Sequence, residues 1–289
     1  MQITDHVHAL RVPFQLPLPD GRRLERFVYA YILVERRALL VDAGVRGYAK
    51  ELTEYLRTIG VAASDVAWTL LTHTHPDHIG GLAGVIEATG CRTATHADAA
   101  PWVTDPERQF RERPVPGFHD LVEGPVAPSQ LLGGDREIGG DGVPRIEVIE
   151  TPGHAPGHVA FFHEPDGVLI CGDALPQPGA MPIYDDVGAS VQSIRRLQQA
   201  STRAKVLLSS WDEPCRAGEI AGRLRAALDA VQRMHDAVRQ GSAEEGSRDP
   251  ARLVPAIVRR LGLPSFAVNP LTARTVAAHL SVASEDRVI

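Results

Sequence analysis

His73-Thr74-His75-Pro76-Asp77-His78 sits just after the apolar run Val66-Ala67-Trp68-Thr69-Leu70-Leu71 and just before Gly80-Gly81. Imidazole and carboxylate are the side chains preferred by zinc and by several other divalent ions. The apolar run reads as a buried strand. At its C-terminal end residues two apart point the same way, so His73 and His75 can grip one ion together. The following loop swings Asp77 and His78 round to a second position beside it. An exposed His-rich loop would account for the histidines alone. It would not account for four candidate ligands within six residues, between a buried strand and a helix start.

Working outward, Val28 to Val34 and Ala38 to Asp42 read as a hairpin, and Tyr48 to Ile59 has helical spacing with Gly60 as its stop. Ile79 to Thr89 reads as a helix closed by Gly90, followed by a strand near Cys91 to Thr95. Strand, loop, helix and strand in that order mark an α/β protein. Residues 98–142 break the rhythm with Pro, Gly and the aromatics Trp102, Phe110 and Phe118. They read either as a surface insert with one short helix or as a lid over the site.

Strands resume at Arg145–Ile149, Val159–Phe162 and Gly167–Cys171, a helix covers Ser190 to Gln199, and Lys205–Ser209 is a last buried strand. From Ala217 the chain turns helical, with an apolar stripe of Ile220, Leu224, Leu228, Val231, Met234 and Val238 that ends at Gly241. A polar linker, Ser242 to Asp249, precedes two more helices, the second opened by Asn269 as N-cap and Pro270. The expected division is a catalytic domain over 1–216 and a helical extension over 217–289. The extension would cap the core or support a homodimer.

Composition narrows the partners. With 289 residues, 44% of them hydrophobic, the chain can bury a real core. Thirty basic against 36 acidic residues, a net charge of −6, speak against a nucleic-acid enzyme. Cys91, Cys171 and Cys215 are widely spaced, without a CxxC pair, which fits a reducing compartment. Neither a signal peptide nor an apolar run of about 18 residues is visible. The expectation is a cytoplasmic enzyme acting on a small molecule, without nucleic-acid or membrane partners.

The His73–His78 motif resembles the metallo-β-lactamase superfamily, and the likeness continues downstream in order. Thr151-Pro152-Gly153-His154-Ala155-Pro156-Gly157-His158 is similar to its third-histidine loop, and Cys171-Gly172-Asp173 to the loop carrying an aspartate shared by two metals. Asp42 stands where the family has a structural acid. The motif style is closest to glyoxalase II-like and lactonase-like hydrolases. The resemblance implies an αββα sandwich, here with a C-terminal helical extension. It places one zinc on His73, His75 and His154, and a second on Asp77, His78 and the shared Asp173. It further implies that a metal-bound hydroxide attacks an ester, thioester or lactone, with Asp77 as the catalytic base. His158 reads as a support rather than a ligand, and Tyr184 and Trp211 as substrate-binding residues.

One position departs from the pattern. Relatives place a final histidine after the last core strand, whereas this chain reads Ser209-Ser210-Trp211-Asp212. Indole offers only an N–H donor and cannot ligate a metal. The second position is then weak or empty, or completed by Asp212 or His119, or the site serves another chemistry. Two alternatives to hydrolysis follow. The superfamily's mononuclear iron persulfide dioxygenases, similar in the same motifs, would use His73, His154 and Asp173, but the Arg- and Gly-rich segment expected after the aspartate is missing. A non-catalytic binding protein on a hydrolase scaffold is the other, and the intact first ligand set speaks against it.

Overall fold

The structure is a computed structural model that describes residues 1–18, 21–134, 137–284 and 286–289. Its first sheet begins with a long hairpin. In β1 (Val7–Pro17) Val12 and Phe14 are buried while Arg11, Pro13 and Gln15 face solvent, the period-two pattern of a half-covered strand. It pairs antiparallel with β2 (Arg23–Val34) along its whole length. The hairpin expected from Val28–Val34 and Ala38–Asp42 is the antiparallel pairing of β2 with the next strand. β2 itself starts earlier than Val28, because the charged Arg23, Glu25 and Arg26 hide its first residues. From there β3 (Ala38–Val41), β4 (Val66–Leu70), β5 (Arg92–His96) and β6 (Gln130–Leu132) follow in sequence order. The last three join in parallel.

The second sheet holds β7 (Glu137–Gly140), β8 (Val143–Glu150), β9 (Val159–His163), β10 (Val168–Ile170), β11 (Val206–Leu208) and β12 (Cys215–Arg216), again in sequence order. The two sheets face each other through Tyr31, Leu39, Leu70, Ile146, Phe161 and Ile170. Both outer faces are also apolar, so each must be covered. On the first sheet, α1 (Tyr48–Thr58) and α3 (Leu82–Thr89) supply Leu52, Leu56, Leu82 and Val85. On the second, α7 (Val187–Ala200) and the N-terminal half of α8 (Ala217–Glu245) supply Val191, Ile194, Leu224 and Val231. The result is the expected αββα sandwich.

Three elements differ from the sequence expectation. The helix expected over Ile79–Thr89 is broken into α2 (Pro76–Ile79) and α3 at Gly80-Gly81. There the chain runs so close to its neighbours that a Cβ on Gly80 would lie 2.1 Å from the Leu121 carbonyl oxygen. The 98–142 segment carries three short helices, not one: α4 (Ala100–Thr104), α5 (Pro106–Glu112) and α6 (Phe118–Leu121). Its last part joins the two sheets as β6 and β7; positions 135 and 136 lie outside the described residues. Helix α8 runs through Gly241 and stops at Gly246, whose φ of 56° suits glycine. Gly241 is buried against Ile257, so it serves packing, and the expected linker shrinks accordingly.

Beyond the second sheet, α8 continues into a separate apolar cluster with α9 (Pro250–Arg260) and α10 (Pro270–Ser281), built from Met234, Val238, Leu253, Ile257, Val276 and Leu280. Asn269 caps α10 by accepting from the Leu271 and Thr272 amides, as its position before Pro270 predicts. Among the described residues no helix is long and apolar enough to cross a membrane.

Candidate metal centre

Loops at the ends of β4, β8 and β10 bring the predicted ligands together. Nδ1 of His75 lies 3.0 Å from Nε2 of His73 and 2.9 Å from Nε2 of His154. Three ring nitrogens this close cannot all be satisfied by protons on one another. A tetrahedral ion with Zn–N bonds of about 2.0–2.1 Å holds its ligand nitrogens roughly 3.3 Å apart, which is close to what is seen. Burial, reinforced by the mutual repulsion of the ring charges, holds His73 and His75 well below the ordinary imidazole range. Burial likewise lowers His154, against the pull of Asp173. All three are therefore neutral near pH 7, the form that donates a lone pair.

The tautomers are fixed from behind. Asp42 sits at the end of β3 with φ of 65°, a left-handed conformation that costs a non-glycine residue on the order of 1–3 kcal/mol. From there its carboxylate accepts from the Thr72 amide and hydroxyl and from Nδ1 of His78, each at 2.8 Å. The Thr72 hydroxyl in turn accepts from Nδ1 of His73 at 3.1 Å, leaving Nε2 free. Nδ1 of His154 donates to the Ile183 carbonyl at 2.7 Å, again leaving Nε2 free. Such outer partners orient ligating imidazoles. The loop holding His154 needs Gly153, where a Cβ would meet the Ser190 amide at 2.4 Å.

Beside this tripod lies a second, looser group. Nε2 of His78 is 3.5 Å from Oδ1 of Asp173 and 3.6 Å from Oδ2 of Asp77. His78 Nε2 and Asp173 Oδ1 are both buried and without a hydrogen-bond partner among the described residues. Oδ2 of Asp173 lies 3.4 Å from His154 Nε2 and 4.0 Å from His73 Nε2, so this carboxylate spans both positions. Burial disfavours the His78 imidazolium, but Asp173, Asp42 and Asp77 together raise it well above its usual range. Burial chiefly, with Asp173, raises Asp77. Orphaned nitrogens and carboxylate oxygens converging in a buried space are the donor set a divalent cation completes, so the residues present fit a metal.

Trp211 occupies the corner where a last histidine was expected. It packs against Phe14 and Phe27, with the Arg26 guanidinium over its ring. Neither suggested substitute fills that corner. Asp212 is taken by Arg223 at 2.7 Å, and His119 is exposed and paired with Glu107. Tyr184 also departs from its expected place. Its hydroxyl bonds His279 at 2.8 Å inside the helical extension, so the tyrosine braces the extension and is not brought to the ligand cluster. His158 supports: its Nδ1 donates to the Thr151 hydroxyl at 2.8 Å and its Nε2 accepts the Asp173 amide at 3.2 Å. Burial lowers it to about 3, so it stays neutral.

Sequence reasoning gave no role to Thr72, which adjoins a motif, or to Thr151, which opens one. It offered a lid over the site for 98–142 without naming which of its residues make contact. Trp102 stacks on His75, with ring centroids 6.2 Å apart, and the buried Gln109 side-chain amide donates to the Thr74 carbonyl. The buried Arg113 ends the same helix pair, one among several arginines in a charged stretch and indistinguishable by pattern. A surface groove of about 350 Å³, lined by Arg46, Glu107 and His119 among others, holds none of the ligand residues.

Residues 23–210 match the family described as the metallo-beta-lactamase superfamily. Among curated proteins, the chain is 30% identical over 196 residues to the probable metallo-hydrolase YqjP of Bacillus subtilis, covering 60% of this chain and 58% of that one. It is 32% identical over 166 residues to a hydroxyacylglutathione hydrolase of Albidiferax ferrireducens, covering 56% of this chain and 52% of that one. The chain thus spans little more than half the length of these relatives. Among solved structures, a metallo-beta-lactamase family protein of Thermus thermophilus superposes with a TM-score of 0.73 at 26% identity, covering 97% of this chain and 94% of the other. That coverage takes in the helical extension.

Proposed function

Since the chain belongs to the metallo-beta-lactamase superfamily, we propose that it is a metal-dependent hydrolase that cleaves an ester, thioester or lactone of a small molecule. The observation that carries this reading is the convergence of three neutral imidazole nitrogens from His73, His75 and His154 on one point, two of them oriented by outer partners. Zinc is the expected ion for an all-imidazole tripod. A divalent ion held there polarises a carbonyl and lowers the pKa of a water to about 7.

The chain's own residues supply the rest. Asp77 lies beside the tripod, and burial makes its carboxylate a better proton acceptor than an exposed one, so it takes the proton of the attacking water at Oδ2. Asp173 spans both positions and holds the geometry between them, itself held by the bond from its amide to His158. Trp102 and Gln109 wall the tripod on the side of the 98–142 segment and exclude water. Likeness to hydroxyacylglutathione hydrolases supports hydrolysis of an acyl bond.

Elemental analysis of the purified protein, paired with assays on an ester, a thioester and a lactone, tests the reading. The expected result is about one tightly held zinc per chain, with hydrolysis lost on chelation and restored by zinc. Undiminished hydrolysis by metal-free protein would sink it. Iron with oxygen consumption on a persulfide would move the chain to the dioxygenases.

A further inference from the structure

Arg113 is 4% exposed, at the end of α5 in the segment that covers the tripod. Its Nε is fully buried without a hydrogen-bond partner, and no carboxylate forms an ion pair with its guanidinium among the described residues. Taking a charge out of water without a partner is costly, so proteins rarely keep one without use. The charge is kept: burial lowers Arg113 only to about 10, which leaves it cationic at neutral pH. The nearby carboxylates are already engaged. Asp185 makes a two-pronged pair with Arg274 at 2.7 and 2.8 Å, and Asp77 and Asp173 belong to the metal centre.

The placement points toward the site. Gln109, one helical turn before Arg113, is hydrogen-bonded to the Thr74 carbonyl between His73 and His75. Of the charges acting on His75, that of Arg113 is the largest, and His154, Asp77 and Asp173 also feel it. Nε2 of His75 is a second buried ring nitrogen without a partner. A guanidinium fork lacking an anion, beside a metal centre, is the half of a recognition pair whose other half comes with a ligand.

We propose that Arg113 is a specificity residue that binds a carboxylate on the substrate, so that the preferred substrate is an acyl compound carrying a negative charge close to its scissile bond. This rests on the hydrolase reading for the word substrate, but the anion site itself does not require turnover. Because Arg113 rides on the same segment as Trp102 and Gln109, the substrate's charge also completes the cover over the tripod.

The test uses the zinc-loaded full chain and isothermal titration with acetate, succinate, glutarate and adipate. Acetate can satisfy the metal alone, whereas a dicarboxylate of fitting length reaches both metal and Arg113. At least one dicarboxylate is expected to bind roughly tenfold to a hundredfold tighter than acetate, and Arg113→Met is expected to erase that gain. Arg113→Lys should keep part of it. No dicarboxylate advantage in the wild type, or an advantage that survives Arg113→Met, would overturn the proposal. The melting temperature of ligand-free Arg113→Met should equal or exceed that of the wild type, because an unpaired buried charge has been removed. A loss of several degrees would assign the arginine to structure instead. A parallel comparison of p-nitrophenyl butyrate with mono-p-nitrophenyl glutarate separates the two readings. Failure to hydrolyse either ester, or a thioester or lactone, while the dicarboxylate preference holds would reject the hydrolase and keep the anion site.

Discussion

The two metal positions share residues but not construction. At the first, two imidazole nitrogens lie within 3.0 Å of a third, and two of the three rings have their other nitrogen anchored to Thr72 or Ile183. At the second, two carboxylates each stand 3.5–3.6 Å from one imidazole, and the position expected to supply a last histidine is Trp211. The first gathers three imidazole nitrogens on one point. The second lacks the imidazole that would complete it, since an indole N–H cannot ligate a metal.

The largest expected effect comes from the tripod. Nε2 of His73 lies 3.0 Å from His75 and 4.0 Å from the shared Asp173. His73→Ala should remove the tight ion and reduce hydrolysis by well over 100-fold, since loss of an outer partner alone costs about 10–100-fold. Metal content and kcat/KM measured together check this, and activity near wild type in the variant would break the picture of a single working position. Trp211→His is next. It puts an imidazole in the corner that Trp211 now occupies and should raise zinc from about one to about two ions per chain. A wild-type count near two would overturn the distinction between the positions.

What was legible in the sequence follows the same division. The first position was readable because strand periodicity and the two-residue spacing of His73 and His75 dictate their geometry, and His154 lies in a loop of the same style. The second could be read only as a set of candidates. Whether Asp212 or His119 completes it depends on which partners those side chains find, and Arg223 and Glu107 lie 11 and 12 residues away with no pattern linking them. The αββα layers were readable from apolar runs too short for helices. The early strand β1 was not, because Pro13 and Pro17 on its outward face break the usual strand signature, nor was the passage of α8 through Gly241, since burial against Ile257 overrides a weak helix former. Tyr184 misled for a related reason: proximity in sequence to Asp173 says nothing about which side of the backbone a side chain takes.

The brace behind His154 gives a smaller effect that sharpens the contrast. The carbonyl of Ile183 that holds this imidazole belongs to a strap gripped by α10. Thr275 bonds both the amide and the carbonyl of Tyr184 at 3.2 Å, and Arg274 pairs with Asp185. The helical extension therefore positions a ligand of the first site and none of the second. Arg274→Ala should weaken zinc binding about tenfold, within the range for outer partners, with the number of sites unchanged. An unchanged affinity would detach the extension from the metal centre.

The smallest effect is on stability and lies in the same brace. His279 of α10 is fully buried, with the Tyr184 hydroxyl 2.8 Å from Nε2 and the His235 ring 3.3 Å from Nδ1, the titratable groups that face it among the described residues. Burial, with a contribution from His235, lowers His279 to about 3 from its ordinary 6.5. Between those values the unfolded chain binds a proton that the folded chain refuses. The stabilisation is therefore complete above pH 6.5 and is lost as pH falls toward 3. One such group costs roughly 1 kcal/mol by about pH 5.5. Comparing melts at about pH 7.5 and 5.5, His279→Gln should lose less than the wild type by about that amount, because glutamine can keep the bond to Tyr184 without titrating. Since the strap also holds His154, the same acid shift should weaken zinc binding less in the variant than in the wild type. Equal losses in the two proteins would show that protonation of the extension does not reach the tripod.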